Sequence, residues 1–520
     1  MMRCYDVLIR GRTRNLEPGR LPALTTLPIS AIALDLGTTA IKAGVLDGAG
    51  ELGGIVARPA PEMAADGGRY ESDALVYAQT AERVLAECLA QVDGVLPPLG
   101  MCSQRSSILI WERASGQPIT SLISWQDTRG AASCAALQNS EGLIRELTGL
   151  RLTPYYFAPK LRVVLLQHAA WRAQLERGEL LVGTLDTFLI WRWTGGRHYV
   201  TDASMAARTL LMDVHRQRWS PELCELFGIP PSILPEIKPS AGMNLQLDNG
   251  LTLQASMGDQ SAALIASVGE GSAEVLVNLG TGGFAMRYVE ERSNNSQSVH
   301  PHLNPPPQRG GNPAPSPSRG KVGMGVESDG YLRTLVYQDV RTHLAIEGTL
   351  NSLAAALAPY PAAECRSDDL GREEIFCLAE PSGLGAPYFR NDLGLRFSAA
   401  VDQLSPQQIA VLLLEGIIFR VARILEDFHQ ASPIVRIYLS GGLSELECLQ
   451  QGIAQCAPCA VYRLQQKDAS LLGAALLAAE RAAAHRDAEK IVVTRSDHAL
   501  PEKYRRWKVW FDALLKTSPT

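Results

Sequence analysis

The sequence predicts an α/β protein of two large domains, on three observations. At 520 residues the chain is too long for a single hydrophobic core. Short apolar, strand-like runs alternate with helix-length stretches, the pattern of sheets covered by helices. One unusual turn is also written twice, each time between two apolar runs. The first copy runs from Ala31 to Leu36, turns at Gly37-Thr38-Thr39 and leaves through Ala40 to Asp47. The second runs from Val275 to Leu279, turns at Gly280-Thr281-Gly282-Gly283 and leaves through Phe284 to Val289. Apolar runs bounded by glycine read as buried strands, so each copy is a β-hairpin with a Gly/Thr tip. Two halves that open on the same hairpin point to an ancient duplication.

The remaining elements follow in order. Ala74 to Leu89 reads as a helix, and a strand leads into Ser103-Gln104-Arg105. Ile108 to Trp111 reads as another strand, and Trp125-Gln126-Asp127 follows Leu122-Ile123-Ser124 at a strand end. Ser261 to Val268 is helical, directly after Gly258-Asp259-Gln260. Leu412 to His429 is a long helix, Ile434 to Leu439 a strand, and Gly441-Gly442 breaks the chain before a further helix. The predicted divisions are an N-terminal extension at 1–30, domains at 31–268 and 269–485, and a C-terminal tail at 486–520. Seven prolines between Pro301 and Pro317 interrupt the second domain. Proline removes ladder donors and the stretch has little to bury, so 294–328 is predicted to be a disordered loop inserted at a hairpin tip. Loop closure costs grow slowly with length, so the fold tolerates it.

A formal charge of -5 gives no basic bias, which argues against nucleic acid as a partner. No apolar run reaches the length of a membrane span, and Met1 to Ser30 lacks a continuous apolar signal region, so a cytoplasmic location is predicted. Ten cysteines are too sparse for a disulfide scaffold, and Cys456-Ala-Pro-Cys459 has no second pair or redox setting around it. The sequence leaves an assembly of identical chains open.

Glycine lets backbone approach a ligand closely, and threonine adds a hydroxyl beside exposed N–H groups. Such tips cradle anions, and two of them facing each other would grip a polyphosphate from both sides. Phosphoryl transfer asks for that positioning and for a base near the attacking hydroxyl. Taken singly, each residue has a plainer reading. Asp259 could cap the helix beside it, Asp35 could cap a turn, Lys42 could be a solvated strand lysine, and each aromatic could be core.

The ordered set of motifs resembles the FGGY carbohydrate kinases, most of all their glycerol kinase branch. It comprises Asp35-x-Gly37-Thr38-Thr39, Ser103-Gln104-Arg105, Trp125-Gln126-Asp127-x-Arg129, Pro154-Tyr155, Gly258-Asp259-Gln260, Gly280-Thr281-Gly282, Gly383 to Tyr388 and Ser440-Gly441-Gly442. The resemblance covers about 31–483 and implies two actin-like, ribonuclease H-like ATPase domains with a cleft between them. The first half would bind substrate and the second nucleotide, with ATP and Mg²⁺ as cofactors and a small polyol or sugar as acceptor. It assigns Asp259 as the catalytic base and Asp35 to the metal, through water because Mg²⁺ keeps much of its hydration. Arg105, Trp125, Tyr155, Asp259, Gln260 and Phe284 would line the acceptor pocket. Thr38, Thr39, Lys42, Gly280 and Thr281 would meet the phosphates, and Gly441 and Gly442 the adenosine. Asp127 either supports the acceptor pocket or bridges to Arg129.

Two departures bear on this assignment. Ser106 stands where glycerol kinases carry Glu after Gln-Arg, which permits a larger polyol or a ketose such as a pentulose or heptulose. The helix after Gly442 reads Leu-Ser-Glu-Leu-Glu-Cys, without the family's usual Asn. A nucleotide-binding sensor without turnover is the alternative outside enzymology, and the intact Asp35 and Asp259 argue against it.

Overall fold

Two sheets of matching strand order organise the computed structural model, which describes residues 28–271, 273–289, 330–482, 487–494 and 498–517. Most of the predicted N-terminal extension and the Pro-rich loop lie outside those residues. The first half supplies β1 (Ile29–Leu36), β2 (Ala40–Asp47), β3 (Leu52–Pro59), α1 (Ala74–Leu89), β4 (Leu99–Ser103), β5 (Ala241–Gln246), β6 (Thr252–Gly258) and α2 (Asp259–Ser267). Its sheet runs β5-β6-β4-β1-β2-β3. β1 pairs antiparallel with β2 and parallel with β4, and β4 pairs parallel with β6.

The second half repeats the scheme with β7 (Glu274–Leu279), β8 (Gly283–Tyr288), β9 (Leu332–Gln338), β10 (Thr342–Leu350), α3 (Pro406–Ala431), β11 (Arg436–Ser440) and β12 (Val461–Leu464). α4 (Ala469–Ala478), β13 (Ala488–Lys490) and α5 (Ala499–Leu515) complete it. Its sheet runs β9-β10-β8-β7-β11-β12-β13, so β3-β2-β1-β4-β6 and β10-β8-β7-β11-β12 are the same arrangement.

The pleat of β1 decides what covers each face. Side chains alternate across a strand, so Ile32, Leu34 and Leu36 share one face and Ala31, Ala33 and Asp35 the other. The large residues pack with Tyr77, Ala81, Val84 and Leu85 of α1, whose first turn is capped by the Asp73 carboxylate accepting from Leu75 N and Val76 N. The small face admits a helix closely, and that helix is α4, through Leu471, Ala474 and Ala475. α2 makes the reciprocal move. It closes the first half in sequence, yet Leu264 packs with Leu276, Met286 and Val336 of the second sheet. Each half is thus covered by a helix belonging to the other. α2 and α4 cross at Gly473, where an added Cβ would fall 1.8 Å from Ala262 O. Only glycine permits that approach.

The pairing around the Pro-rich stretch differs from the predicted hairpin. β9 pairs with β10, and β10 in turn pairs with β8, so the strand after the insert does not fold back on the strand before it. A short turn favours this outcome, because the Asp339 carboxylate accepts from Arg341 N and zips β9 onto β10 locally. The segment predicted to be a tail is integrated into the second half. Trp507 and Phe511 of α5 are fully buried with Phe419 of α3, and the buried Lys503 ammonium pairs with the Glu415 carboxylate. A sequence window ending at 483 misses this because the partners of α5 lie far upstream: α3, Cys377, whose carbonyl accepts from Trp507 Nε1, and Tyr388, whose ring meets Phe511. Among the described residues no helix is long and apolar enough to cross a membrane.

Candidate active site

Strand order places the chemistry. Leu36, Ser103 and Gly258 lie in register at the carboxyl ends of β1, β4 and β6. Ligands of open α/β sheets bind beyond such ends. Asp35, Arg105 and Asp259 therefore emerge from one edge of one sheet.

Asp35 lies on the face covered by α4, and Ser470 in the first turn of that helix donates to Asp35 Oδ2 at 2.6 Å. Lys42 sits opposite Asp35 on β2 and is bridged at 2.7 Å to Asp468, the residue preceding α4. Two contacts from the second half thus hold the first hairpin just behind its tip. Burial pushes the Asp35 carboxyl up to about 6, against the Ser470 hydrogen bond and with a further rise from the negative charge of Asp259. Its Oδ1 is buried without a hydrogen-bond partner. An unpaired carboxylate oxygen beside a second carboxylate suits a hydrated divalent cation.

Asp259 is the first residue of α2; the cap position belongs to Gly258, so the capping role does not account for it. Its Oδ1 accepts from Gln260 N at 2.7 Å and lies 3.7 Å from Arg105 Nε. Burial raises its carboxyl above the ordinary range, while Arg105 and Gln260 oppose the rise. Gln260 Oε1 and Arg105 Nη1 are buried without partners.

Trp125 joins this group through its ring nitrogen, which donates to Thr38 Oγ1 at 3.0 Å. Gln104 ties the two together: its Oε1 accepts from Ser107 Oγ at 2.8 Å, and Ser107 Oγ accepts from Trp125 N at 3.1 Å. Tyr77 reaches the same tip, donating from its hydroxyl to Gly37 O at 2.7 Å. The buried Lys160 ammonium donates to Ser106 O and Ser124 O, fixing the turns that present Arg105 and Trp125. Burial brings that ammonium down to about 7. The predicted site missed Gln104, Tyr77, Lys160 and Ser470. A lysine amid the apolar run 157–166 was the readable signal for Lys160, and Gln104 stood inside the Ser103-Gln104-Arg105 motif; Tyr77 and Ser470 depend on contacts distant in sequence.

The other predicted residues fall as follows. Asp127 is bound by Arg129, from its Nε to Oδ1 and its Nη2 to Oδ2, both at 2.8 Å, which makes it the structural bridge. Tyr155 is 44% exposed, whereas Tyr156 turns inward beneath Arg208. Phe284 lies opposite Asn278 and Thr349 and packs in the cluster that holds Leu264 of α2. In the second half Asn278 and Ser440 are in register, so Gly280-Thr281 and Gly441-Gly442 leave the same sheet edge. Gly441 has φ +87°, and a Cβ there would meet Leu279 O at 2.4 Å, packing the two glycine turns together. Thr39, Thr281, Gly441 and Gly442 are exposed, open to a ligand. Ser106 is buried, and its hydroxyl donates to Arg208 O at 3.0 Å.

Residues 30–269 match the model of the N-terminal domain of the FGGY family of carbohydrate kinases, and residues 275–482 that of its C-terminal domain. The chain is 31% identical over 519 residues to the apulose kinase of Pectobacterium atrosepticum, covering 92% of this chain and 96% of that one. It is 30% identical over 475 residues to the glycerol kinase of Cereibacter sphaeroides, covering 87% and 90%. Among solved structures it is similar to Plasmodium falciparum glycerol kinase with ADP, at a TM-score of 0.75 and 20% identity over 95% of this chain and 99% of that one. It is also similar to ligand-bound xylulose kinase from Lactobacillus acidophilus, at a TM-score of 0.71 and 18% identity over 94% and 99%. Identities this low speak to a shared fold.

Proposed function

This chain belongs to the FGGY family of carbohydrate kinases and is an ATP-dependent sugar or polyol kinase, and from that premise we propose that Asp259 is its general base and that the acceptor is a small polyol or sugar. The observation that carries the proposal is the convergence of Asp35, Arg105 and Asp259 on one sheet edge, with Asp259 half-buried and drawn up in pKa. Burial makes the carboxylate a stronger proton acceptor than a solvated one, which suits a base working near neutrality.

In the step, the acceptor hydroxyl oxygen attacks the γ-phosphorus of ATP, the bond to the β-phosphate oxygen breaks and ADP leaves. Asp259 takes the hydroxyl proton. Arg105 orients acceptor oxygens through its unpaired N–H, and Trp125 presents an apolar face to the carbon skeleton. Thr38 and Thr39 on one tip, and Gly280 and Thr281 on the other, offer backbone N–H and hydroxyl groups to phosphate oxygens, while Gly441 and Gly442 border the adenosine. Lys42 adds positive charge near the transferred group from its bridge to Asp468. Mg²⁺ bound near Asp35 through water would neutralise phosphate charge. Asp259→Asn, assayed with the best acceptor, is expected to lower kcat by about 10²–10⁴-fold. Near-normal turnover would show that the base is elsewhere.

One observation favours a ketose over glycerol. Ser106 supplies no carboxylate, and its hydroxyl is already committed to Arg208 O. A glycerol-type acceptor loses an ionic hydrogen-bond partner there, worth about 1.5–3 kcal/mol. The likeness to an apulose kinase agrees with a longer or branched acceptor. Turnover over a panel of glycerol, pentuloses, heptuloses and apulose tests this: a ketose should exceed glycerol in kcat/KM, and the reverse order would restore the polyol.

A further inference from the structure

A buried ion pair stands behind the half-buried Arg105–Asp259 pair, and it spans the two halves. Arg208 follows the short helix Ala203–Ala206, which packs through Ala203, Ala206 and Ala207 on Leu335 of β9 and Leu344 of β10. Arg208 Nη1 lies 3.4 Å from Oε2 of Glu347 on β10, and Thr334 Oγ1 donates to that oxygen at 2.7 Å. Arg208 is 8% exposed and Glu347 3%. The Tyr156 ring lies 5.4 Å below the guanidinium.

These charges reach the reacting pair. Arg105 interacts electrostatically with Arg208, Glu347 and Asp259, and Arg208 with Asp259. Arg105, Arg208 and Glu347 are thus largely withdrawn from water with the half-buried Asp259 at their edge, where interactions are stronger than in bulk water. Arg105 stands back within this group: 3.7 Å to Asp259 exceeds a hydrogen bond. Arg105 Nη1 and Arg208 Nε have no hydrogen-bond partners.

We propose that Glu347 is a positioning residue for phosphoryl transfer: as the second anion of the enclosure it balances the two guanidiniums, so that Arg105 does not close onto Asp259 and that carboxylate stays open to the acceptor hydroxyl. The inference rests on Asp259 acting as the base. Without Glu347 two cations face one anion, and Arg105 is drawn from 3.7 Å to the roughly 2.8 Å of a charge-assisted bond. The base is then occupied before the substrate arrives.

The test uses the full chain with ATP and its best acceptor. Glu347→Gln is expected to lower kcat by about 10–100-fold, part of the general-base contribution, with KM for ATP within about twofold because the Gly/Thr tips are untouched. The double variant R208Q/E347Q removes the repulsion from Arg208 together with the attraction of Glu347 and should return part of the lost kcat. A merely structural bridge also recovers when both partners are replaced, so the deciding readout is the pH dependence of kcat: Arg105 closing onto Asp259 in E347Q moves the base limb to lower pH, whereas lost structure alone lowers kcat and leaves that limb in place, which would overturn the proposal. Wild-type kcat in E347Q, or a double variant as slow as E347Q, overturns the proposal. Should E347Q not fold, Glu347→Asp takes its place: the withdrawn carboxylate should move the base limb of kcat to lower pH in smaller measure, and an unmoved limb overturns the proposal. Asp259→Asn, run in parallel, separates the two readings. An inactive D259N beside a normal E347Q removes only the role of Glu347, whereas an active D259N removes the base itself.

Discussion

Gly473→Ala probes the joint on which the site is built. The new Cβ would lie 1.8 Å from Ala262 O and 2.5 Å from its carbonyl carbon. Non-bonded carbon contacts settle near 3.5 Å, so α2 and α4 must part by about 1.5 Å at their crossing. The obstacle is backbone, which cannot swing aside as a side-chain end would. Overpacking of this kind costs about 1–3 kcal/mol, and a contact this short belongs at the upper end. In a unit of 150–250 residues that lowers Tm by roughly 5–10 °C. The catalytic loss follows from what the helices carry. α2 begins at Asp259, and Ser470 of α4 donates to Asp35. Displacement on the ångström scale at reacting groups costs up to about 10²-fold in rate. Thermal unfolding and kcat are measured together, with Gly53→Ala as the control, because no atom lies within 4 Å of a Cβ there. The control should stay within about 0.5 kcal/mol. A G473A protein that melts and turns over like the parent would refute the close crossing and the route from packing to catalysis.

Two further outcomes follow from buried charge. Asp202 caps the helix Ala203–Ala206 from a fully buried position, and burial pushes its carboxyl from 3.8 up to about 7. Between those values the folded state holds a proton that the unfolded chain has released, so this group's contribution to stability is present at low pH and is lost as pH rises from about 4 to about 7. Urea titrations at pH 5 and 8 should show that fall, and Asp202→Asn, which still caps, should flatten it. Lys503→Met leaves the Glu415 carboxylate buried with only Gly371 N as a hydrogen-bond donor. Stability should drop by about 3–5 kcal/mol in urea unfolding, and the double variant K503M/E415L should recover most of it.

Much of the fold was legible because its signals are local. The β1 run and the Gly/Thr tips are contiguous in sequence, and Ala74–Leu89 was bounded by its own Asp73 cap. Of the site, Asp35, Thr38, Arg105, Trp125 and Asp259 were legible as motifs, and the structure brings them together around β1, β4 and β6. What escaped depends on contacts between segments hundreds of residues apart. Ser470 meets Asp35 across 435 residues, and Arg208 meets Glu347 across 139. The inward turn of Tyr156 in place of Tyr155 was equally hidden, because adjacent tyrosines at a helix start give no periodicity to choose between them. The pairing of β9 escaped because a masked signal competed with it: a proline-rich interruption suggests a hairpin tip, while the Asp339 turn that settles the register lies after it.

The exchange of closing helices explains why these long-range contacts sit at the site. Had α2 stayed on the first sheet and α4 on the second, Asp35 would have faced only residues of its own half, and the bridge from Lys42 to Asp468 could not form. Because α4 instead covers the alanine face of β1, its first turn reaches the strand end where Asp35 stands. Because α2 packs on the second sheet, the helix that carries Asp259 answers to both halves. The hairpin is written twice, but it is the traded helices, with Gly473 at their contact, that join the two similar halves beside Asp35 and Asp259.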